Sequence, residues 1–295
     1  MRFLGVDLAW KEHNASGVVV LEGRRFPLRL VEGPDTLPTH AAVLDWLTGW
    51  LDRAGPHSAT AVGIDAPLLG LGCARGRRDC DDEVSRHFGR FAAPVSSLTA
   101  FRGMLQRFVG ELEARCPLAD FCPETRPTPG RPAIREVYPN ALQVRLFDLD
   151  RPPVRKKHVY KRQKFGSKRE WVVRGLGPFV EKCAAVVEAR RYIARDRIWQ
   201  ALVRERPRAA DSGRALKALE DRWDAILCAL AVALEQLHHD TMRAYTAPEP
   251  GSWREGYILA PVLRLSPERR RSGAAADRPR MPRLASREGW DDSRG

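Results

Sequence analysis

The sequence predicts an α/β chain built on a mixed five-stranded sheet. Three observations carry this: three short apolar strands close to the N-terminus, an amphipathic helix after them, and a fourth apolar strand that stops at Asp65. Residues 2–8 (RFLGVDL) form the first strand and 16–22 (SGVVVLE) the second, separated by the turn-like Asn14-Ala15-Ser16-Gly17. Glu22-Gly23-Arg24-Arg25 then turns the chain into a third strand over 26–32, which makes an antiparallel meander. Over 39–53, Val43, Leu44, Leu47, Trp50 and Leu51 recur at helical spacing, and Gly55-Pro56 stops the helix.

The run Ala61-Val62-Gly63-Ile64 leads to Asp65, and Pro67 ends that strand because it cannot donate to a ladder. A helical insertion over about 69–133 follows, with helices at 79–90 and 98–115 and the proline-rich loop PETRPTPGRP. A fifth strand is expected at 134–138 (IREVY), then helical sequence over 178–206 and 214–239. Within the last helix, AILCALAVAL is apolar on every face, so that helix is expected to be buried on most sides. The expected sheet order is 3-2-1-4-5. One domain spans 1–263; from 264 to 295 Arg, Pro, Ser and Ala dominate, which reads as a disordered basic tail.

The chain is long enough, at 295 residues, to bury a full core. Its formal charge of +13 attracts polyanions, nucleic acid first among them, although a basic soluble surface would give the same sum. Six cysteines, at 73, 80, 116, 122, 183 and 228, lack the paired spacings of zinc sites and read as reduced thiols. MRFLGVDLAW reaches an aspartate too early for a signal peptide, and no apolar run approaches the roughly 18 residues of a membrane span. A cytoplasmic protein without membrane contact is expected.

Three meander strands, a helix and a fourth strand form the opening of a ribonuclease H-like fold, in which strand four runs parallel to strand one. Adjacent strands lie about 4.8 Å apart, so Asp7 and Asp65 at matching heights can share one cation. Two carboxylates held this close repel unless a cation or proton separates them. Asp221 and Asp224 stand i, i+3 on the late helix and can be aimed together at the sheet, Asp224 being the first choice; Glu136 adds an oxygen from strand five. Such hard donors favour Mg²⁺ or Mn²⁺. Each acid also has a plainer reading: a strand-end turn residue for Asp7 or Asp65, an N-cap or first-turn acid for Asp221, an arginine partner for Glu136. Their joint order along the chain carries the metal reading.

The motifs GVDLAW, GIDAP, GRR-DCDDEVSR, EVYP, WDAILCAL and EGYILAP, in that order over roughly residues 1–262, resemble domain-of-unknown-function family 429. That family is described as predicted nucleases of the ribonuclease H-like superfamily, so the resemblance implies a metal-dependent nuclease. Its acidic layout is similar to that of Holliday-junction resolvases, which implies metal binding by Asp7, Asp65, Asp221 and Asp224.

Basic groups surround these acids. Arg77, Arg78 and Arg86 are placed to clamp a phosphate, with an internal Arg78–Asp81 salt bridge as the alternative. Residues 151–174 hold ten Lys/Arg against the single carboxylate Glu170, with Tyr160, Phe165 and Trp171 interleaved. That pattern suits DNA or RNA whose unpaired bases stack on aromatics, and equally a solvated loop. Lys161 joins Arg78 as the favoured phosphate ligand; Asp81 and Tyr138 are supporting residues.

The expected activity is two-metal phosphodiester hydrolysis, with Asp7 bridging, Asp65 and Asp224 completing the shells, and Asp221 and Glu136 as outer ligands. The rivals are a non-catalytic nucleic-acid-binding protein, an actin-like or sugar-kinase-type ATP-binding enzyme, and a hydrolase of small phosphate esters. The ATP reading suffers from the bulk of Leu8-Ala9-Trp10, where a glycine-rich phosphate turn would be needed. Resolvase-like cutting of two strands in register would require a homodimer.

Overall fold

The computed structural model describes residues 1–264 except 10, 12, 13, 55–57, 74, 75, 94–100, 152, 154 and 247–251. The expected basic tail beyond 264 lies outside the described residues. In chain order the elements are β1 (Arg2–Asp7), β2 (Ser16–Glu22), β3 (Arg29–Leu37), α1 (His40–Ala54) and β4 (Thr60–Ile64). Two helices, α2 (Asp79–Phe88) and α3 (Arg102–Arg115), follow before β5 (Ala133–Glu136) and α4 (Pro139–Leu146). A short α5 (Lys168–Glu170) winds through a π-helical stretch (Trp171–Leu176) into α6 (Gly177–Ala189); then come α7 (Arg197–Arg204), α8 (Gly213–Leu237), β6 (Met242–Tyr245) and β7 (Ile258–Pro261).

The five-stranded sheet has the order β3-β2-β1-β4-β5. The meander pairs antiparallel, whereas β4 pairs parallel to β1 and β5 parallel to β4. Alternate residues face opposite layers, as strand geometry requires. Phe3, Val19, Leu21 and Ala61 pack with α4, α6 and α8, while Leu4, Val6, Val18, Val62 and Ile64 pack with α1 and α3. The apolar run of α8 is buried from Ala225 to Leu234, as its all-round hydrophobicity predicts. Three strand glycines, Gly5, Gly17 and Gly63, let this helix lie directly on the sheet. A Cβ on Gly5 would come within 2.0 Å of the Ala225 carbonyl oxygen, and one on Gly17 within 2.1 Å of the Asp221 carbonyl oxygen.

Several boundaries differ from the sequence expectation. The third strand runs over Arg29–Leu37 rather than 26–32, and it accommodates Pro34 because it is a sheet edge, where a missing N–H is harmless. The fifth strand ends at Glu136; Val137 makes only an isolated bridge to Leu259, and Pro139 already opens α4. The expected helix over 178–206 is two helices. Arg191 takes φ +53°, Ile193 bridges Leu28, and the Asp196 carboxylate accepts from the Trp199 amide at 2.9 Å to start α7. The β6–β7 hairpin was not anticipated. It docks by β5, where the Tyr257 hydroxyl donates to the Ile134 carbonyl at 3.2 Å.

Candidate active site

Asp7 is the last residue of β1 and Asp65 the first after β4, strands paired in parallel with Val6 opposite Ile64. The Asp65 amide donates to the Val6 carbonyl at 2.9 Å, so the two carboxylates leave the sheet side by side. Asp7 also pairs in register with Gly17, the residue on which the Asp221 backbone rests, and this close approach carries Asp221 to the strand ends. Asp7, Asp65, Glu136 and Asp221 all line one cleft of about 1010 Å³, together with Tyr138, Asn140 and the cations Lys157, Lys161, Arg214 and Lys217.

The acids divide by what neutralises them. Lys161 Nζ lies 2.6 Å from Asp224 and 3.1 Å from Glu220; Lys217 reaches Glu220 at 3.3 Å and pairs with Asp221 one turn away. Burial alone would lower the Lys161 pKa, but Asp224, Tyr160 and Glu220 beside it hold it well above the usual lysine range. Asp7 and Asp65 are half-buried and have neither a hydrogen-bond donor nor a cationic partner for their side chains among the described residues. Burial first, then the negative charges of Asp224 and Asp221, push the Asp7 carboxyl well above the ordinary range. Burial and the Asp224 charge raise Asp65 to about 7.

Among the described residues no three His, Cys, Asp or Glu side chains form a ready-made metal cage. The open pair nevertheless fits a hard cation. Its donors are all oxygen, its mutual repulsion is relieved by positive charge, and Mg²⁺ is commonly held by one or two carboxylates with waters and substrate phosphates filling the remaining positions.

The structure places several of the expected site residues differently. Asp224, the favoured ligand of the late helix, is only 1% exposed and does not line the cleft; Tyr160 Oη donates to it at 3.0 Å and Lys161 caps it, so Asp221 is the helix acid that faces the opening. Arg78 is no phosphate clamp. It is 2% exposed, forks onto Asp81 Oδ1 at 2.6 Å and Glu136 Oε1 at 2.5 Å, and gives a further N–H to the Leu69 carbonyl. That cluster also occupies Glu136, whose Oε2 accepts from the Leu68 amide at 3.0 Å, so Glu136 faces the cleft with its charge already matched. The internal salt bridge is therefore the correct alternative for Arg78, and Asp81 supports it. Arg77 is engaged by Asp82 at 2.8 Å and by Ser85 at 2.9 Å, and Arg86 by Glu83; neither lines the cleft.

Two of the three interleaved aromatics are buried and offer no stacking face to a base, while Phe165 is partly buried. Tyr160 is buried and stacks on Phe179 with centroids 3.8 Å apart, and Trp171 is buried with its indole N–H on the Tyr160 carbonyl at 2.6 Å. Lys161, the expected phosphate ligand, lines the cleft while paired with Asp224 and Glu220, and Tyr138 lines it too, bonded to Asn140, with burial and the Asp65 charge keeping its hydroxyl protonated. Sequence reasoning missed Glu220, a buried carboxylate between two lysines. Its only signal was position: it directly precedes Asp221 on the helix whose next turn becomes fully apolar.

A family model described as "Protein of unknown function (DUF429)" matches residues 5–249. No curated protein matches the chain.

Proposed function

From the cleft of this chain, which belongs to the DUF429 family, we propose that it is a metal-dependent nuclease hydrolysing a phosphodiester bond. The carrying observation is the pair Asp7 and Asp65: two carboxylates side by side at parallel strand ends, open to a cleft and, among the described residues, without a hydrogen-bonding or ion-pair partner inside an otherwise basic chain. Purely structural acids in such surroundings would be matched, as Asp81 and Glu136 are by Arg78.

Asp7 and Asp65 would hold a Mg²⁺ or Mn²⁺ ion, with Asp221 beside them. Bound there, the ion would supply an acidified water and Lewis-acid polarisation of a phosphoryl oxygen. The open oxygens suffice for one ion, and a second would have to take Asp221 from Lys217. The remaining groups belong to the chain. Lys161 and Lys217, fixed by Glu220 and the late-helix aspartates, place positive charge at the cleft floor, where it opposes charge building on the phosphate in the transition state. Nucleic acid, DNA or RNA, is the proposed partner, because a polyanion gains from both this floor and the +13 charge of the chain. The ATP-binding alternative gains nothing: the Ala9 amide just after Asp7 is spent on Ser16 Oγ at 3.0 Å instead of standing free for a phosphate.

The test is cleavage of labelled single-stranded, duplex and branched DNA and RNA in Mg²⁺, Mn²⁺ or chelator, by wild type and Asp7→Asn. Metal-dependent cutting should fall on the order of 10² or more in the variant, the scale of losing one transition-state stabiliser. Binding without cutting of any substrate would move the assignment to a nucleic-acid-binding protein.

A further inference from the structure

The cleft holds four cationic side chains in two situations. Lys161 and Lys217 are committed to the carboxylates of α8, whereas Lys157 and Arg214 have no carboxylate within ion-pair distance among the described residues. Lys157 is not a free surface side chain. Its amide donates to the Phe91 carbonyl at 2.8 Å, and its ammonium lies 4.7 Å from the centroid of the Tyr160 ring, itself clamped by Phe179 and Asp224. Burial, only partly opposed by the Asp224 charge, lowers Lys157 to about 8, so its positive charge is held at a cost in the absence of an anion. Arg214 stands at the start of α8, two turns before Asp221 and so about 10 Å along the helix axis from it.

The cleft thus leaves two acids unmatched at the strand ends and two cations unmatched away from them. We infer that Lys157 and Arg214 form a phosphate-anchoring site that holds a phosphate other than the one being cut, so that the substrate is a chain carrying at least two phosphates. The inference rests on the phosphodiester reading above for the identity of the cut bond, but the anchoring site itself does not. It also explains how a segment whose Tyr160 and Trp171 are buried can still engage nucleic acid: through phosphates, with no base stacked on either ring.

The test uses the full chain with chelator present, so that nothing is cut, and titrates inorganic phosphate, pyrophosphate and a short DNA oligonucleotide. Lys157→Met keeps an unbranched side chain beside Tyr160 and removes the charge; Arg214→Gln removes an exposed charge; thermal melting confirms that both variants fold. Wild type should bind pyrophosphate and the oligonucleotide more tightly than inorganic phosphate. The double variant should lose about tenfold in affinity for both, with a salt slope for the oligonucleotide shallower by about one per charge removed. Unchanged affinity in the folded double variant, no binding by wild type, or equal affinity for inorganic phosphate and the oligonucleotide would each overturn the inference. None of those results touches the nuclease assignment if Asp7→Asn still abolishes cleavage. Conversely, phosphate binding that depends on Lys157 and Arg214 in a protein that cuts nothing would sink the nuclease assignment and leave the anchoring site standing.

Discussion

Two groups of acids, one buried and one half-buried, lie one strand apart and are treated oppositely. On the β5 side, Asp81 and Glu136 enclose the Arg78 guanidinium, with contacts of 2.5 to 2.6 Å and additional bonds from the Arg78 and Leu68 amides. At the ends of β1 and β4, Asp7 and Asp65 line a cleft and, among the described residues, have no such guanidinium paired to them. The first arrangement fixes the insertion to the sheet, because Arg78 precedes α2 while Glu136 ends β5. The second adds no bond to the fold and raises its own electrostatic cost. Matched acids hold the architecture and unmatched ones are the proposed chemical groups, and each variant below breaks or sharpens that contrast.

The largest effect is expected on the matched side. Arg78→Met would strand two buried carboxylates, at a cost on the order of 3–5 kcal/mol. For a chain of this size that lowers the melting temperature by roughly 6–20 °C. An unchanged thermal melt would remove the contrast. On the unmatched side, Asp65→Asn should reduce metal-dependent cleavage on the order of 10² while leaving the fold intact, which cleavage rates measured beside a melt would show.

A smaller effect follows from pH. The folded Asp65 pKa, about 7, lies above its unfolded value, so the stability it contributes is fully present below the unfolded pKa and is lost as pH rises through about 7. In metal-free protein, Asp65→Asn should therefore raise the melting temperature increasingly from about pH 4 upward, levelling off above about pH 7. A variant less stable than wild type at pH 8 would contradict the sign. Metal affinity should run the other way, rising up to about tenfold per pH unit until Asp65 is ionised. The smallest effect belongs to the surface: Arg86→Ala loses an exposed pair with Glu83 worth under about 1 kcal/mol, and unchanged cleavage is expected. A cleavage defect there would restore Arg86 as a phosphate ligand.

How much of this was legible beforehand depended on the range of the interaction. The sheet order, the crossover helix and the strand-end positions of Asp7 and Asp65 follow from local patterns: alternating apolar runs, a stop at Pro67, an all-round apolar helix. What failed was partner choice. Arg78 meets Glu136 across 58 residues and Lys161 meets Asp224 across 63, so no local spacing distinguishes a phosphate clamp from an internal fork, or an open ligand from a capped one. The aromatics of 151–174 were misread for a related reason, since interleaving with lysine says nothing about which face meets Phe179. Gly17 carried an unused clue. A glycine register-paired with Asp7 marks where a helix can approach, and that contact is what places Asp221 by the strand ends.

The central claim, that Asp7 and Asp65 together hold the metal, is tested most directly by titrating Mn²⁺ into metal-free wild type and into Asp7→Asn and Asp65→Asn at pH 8, following free Mn²⁺ by electron paramagnetic resonance. Saturable binding by wild type that is lost in either variant is predicted. Saturable binding that survives both substitutions would place the metal elsewhere and contradict the account.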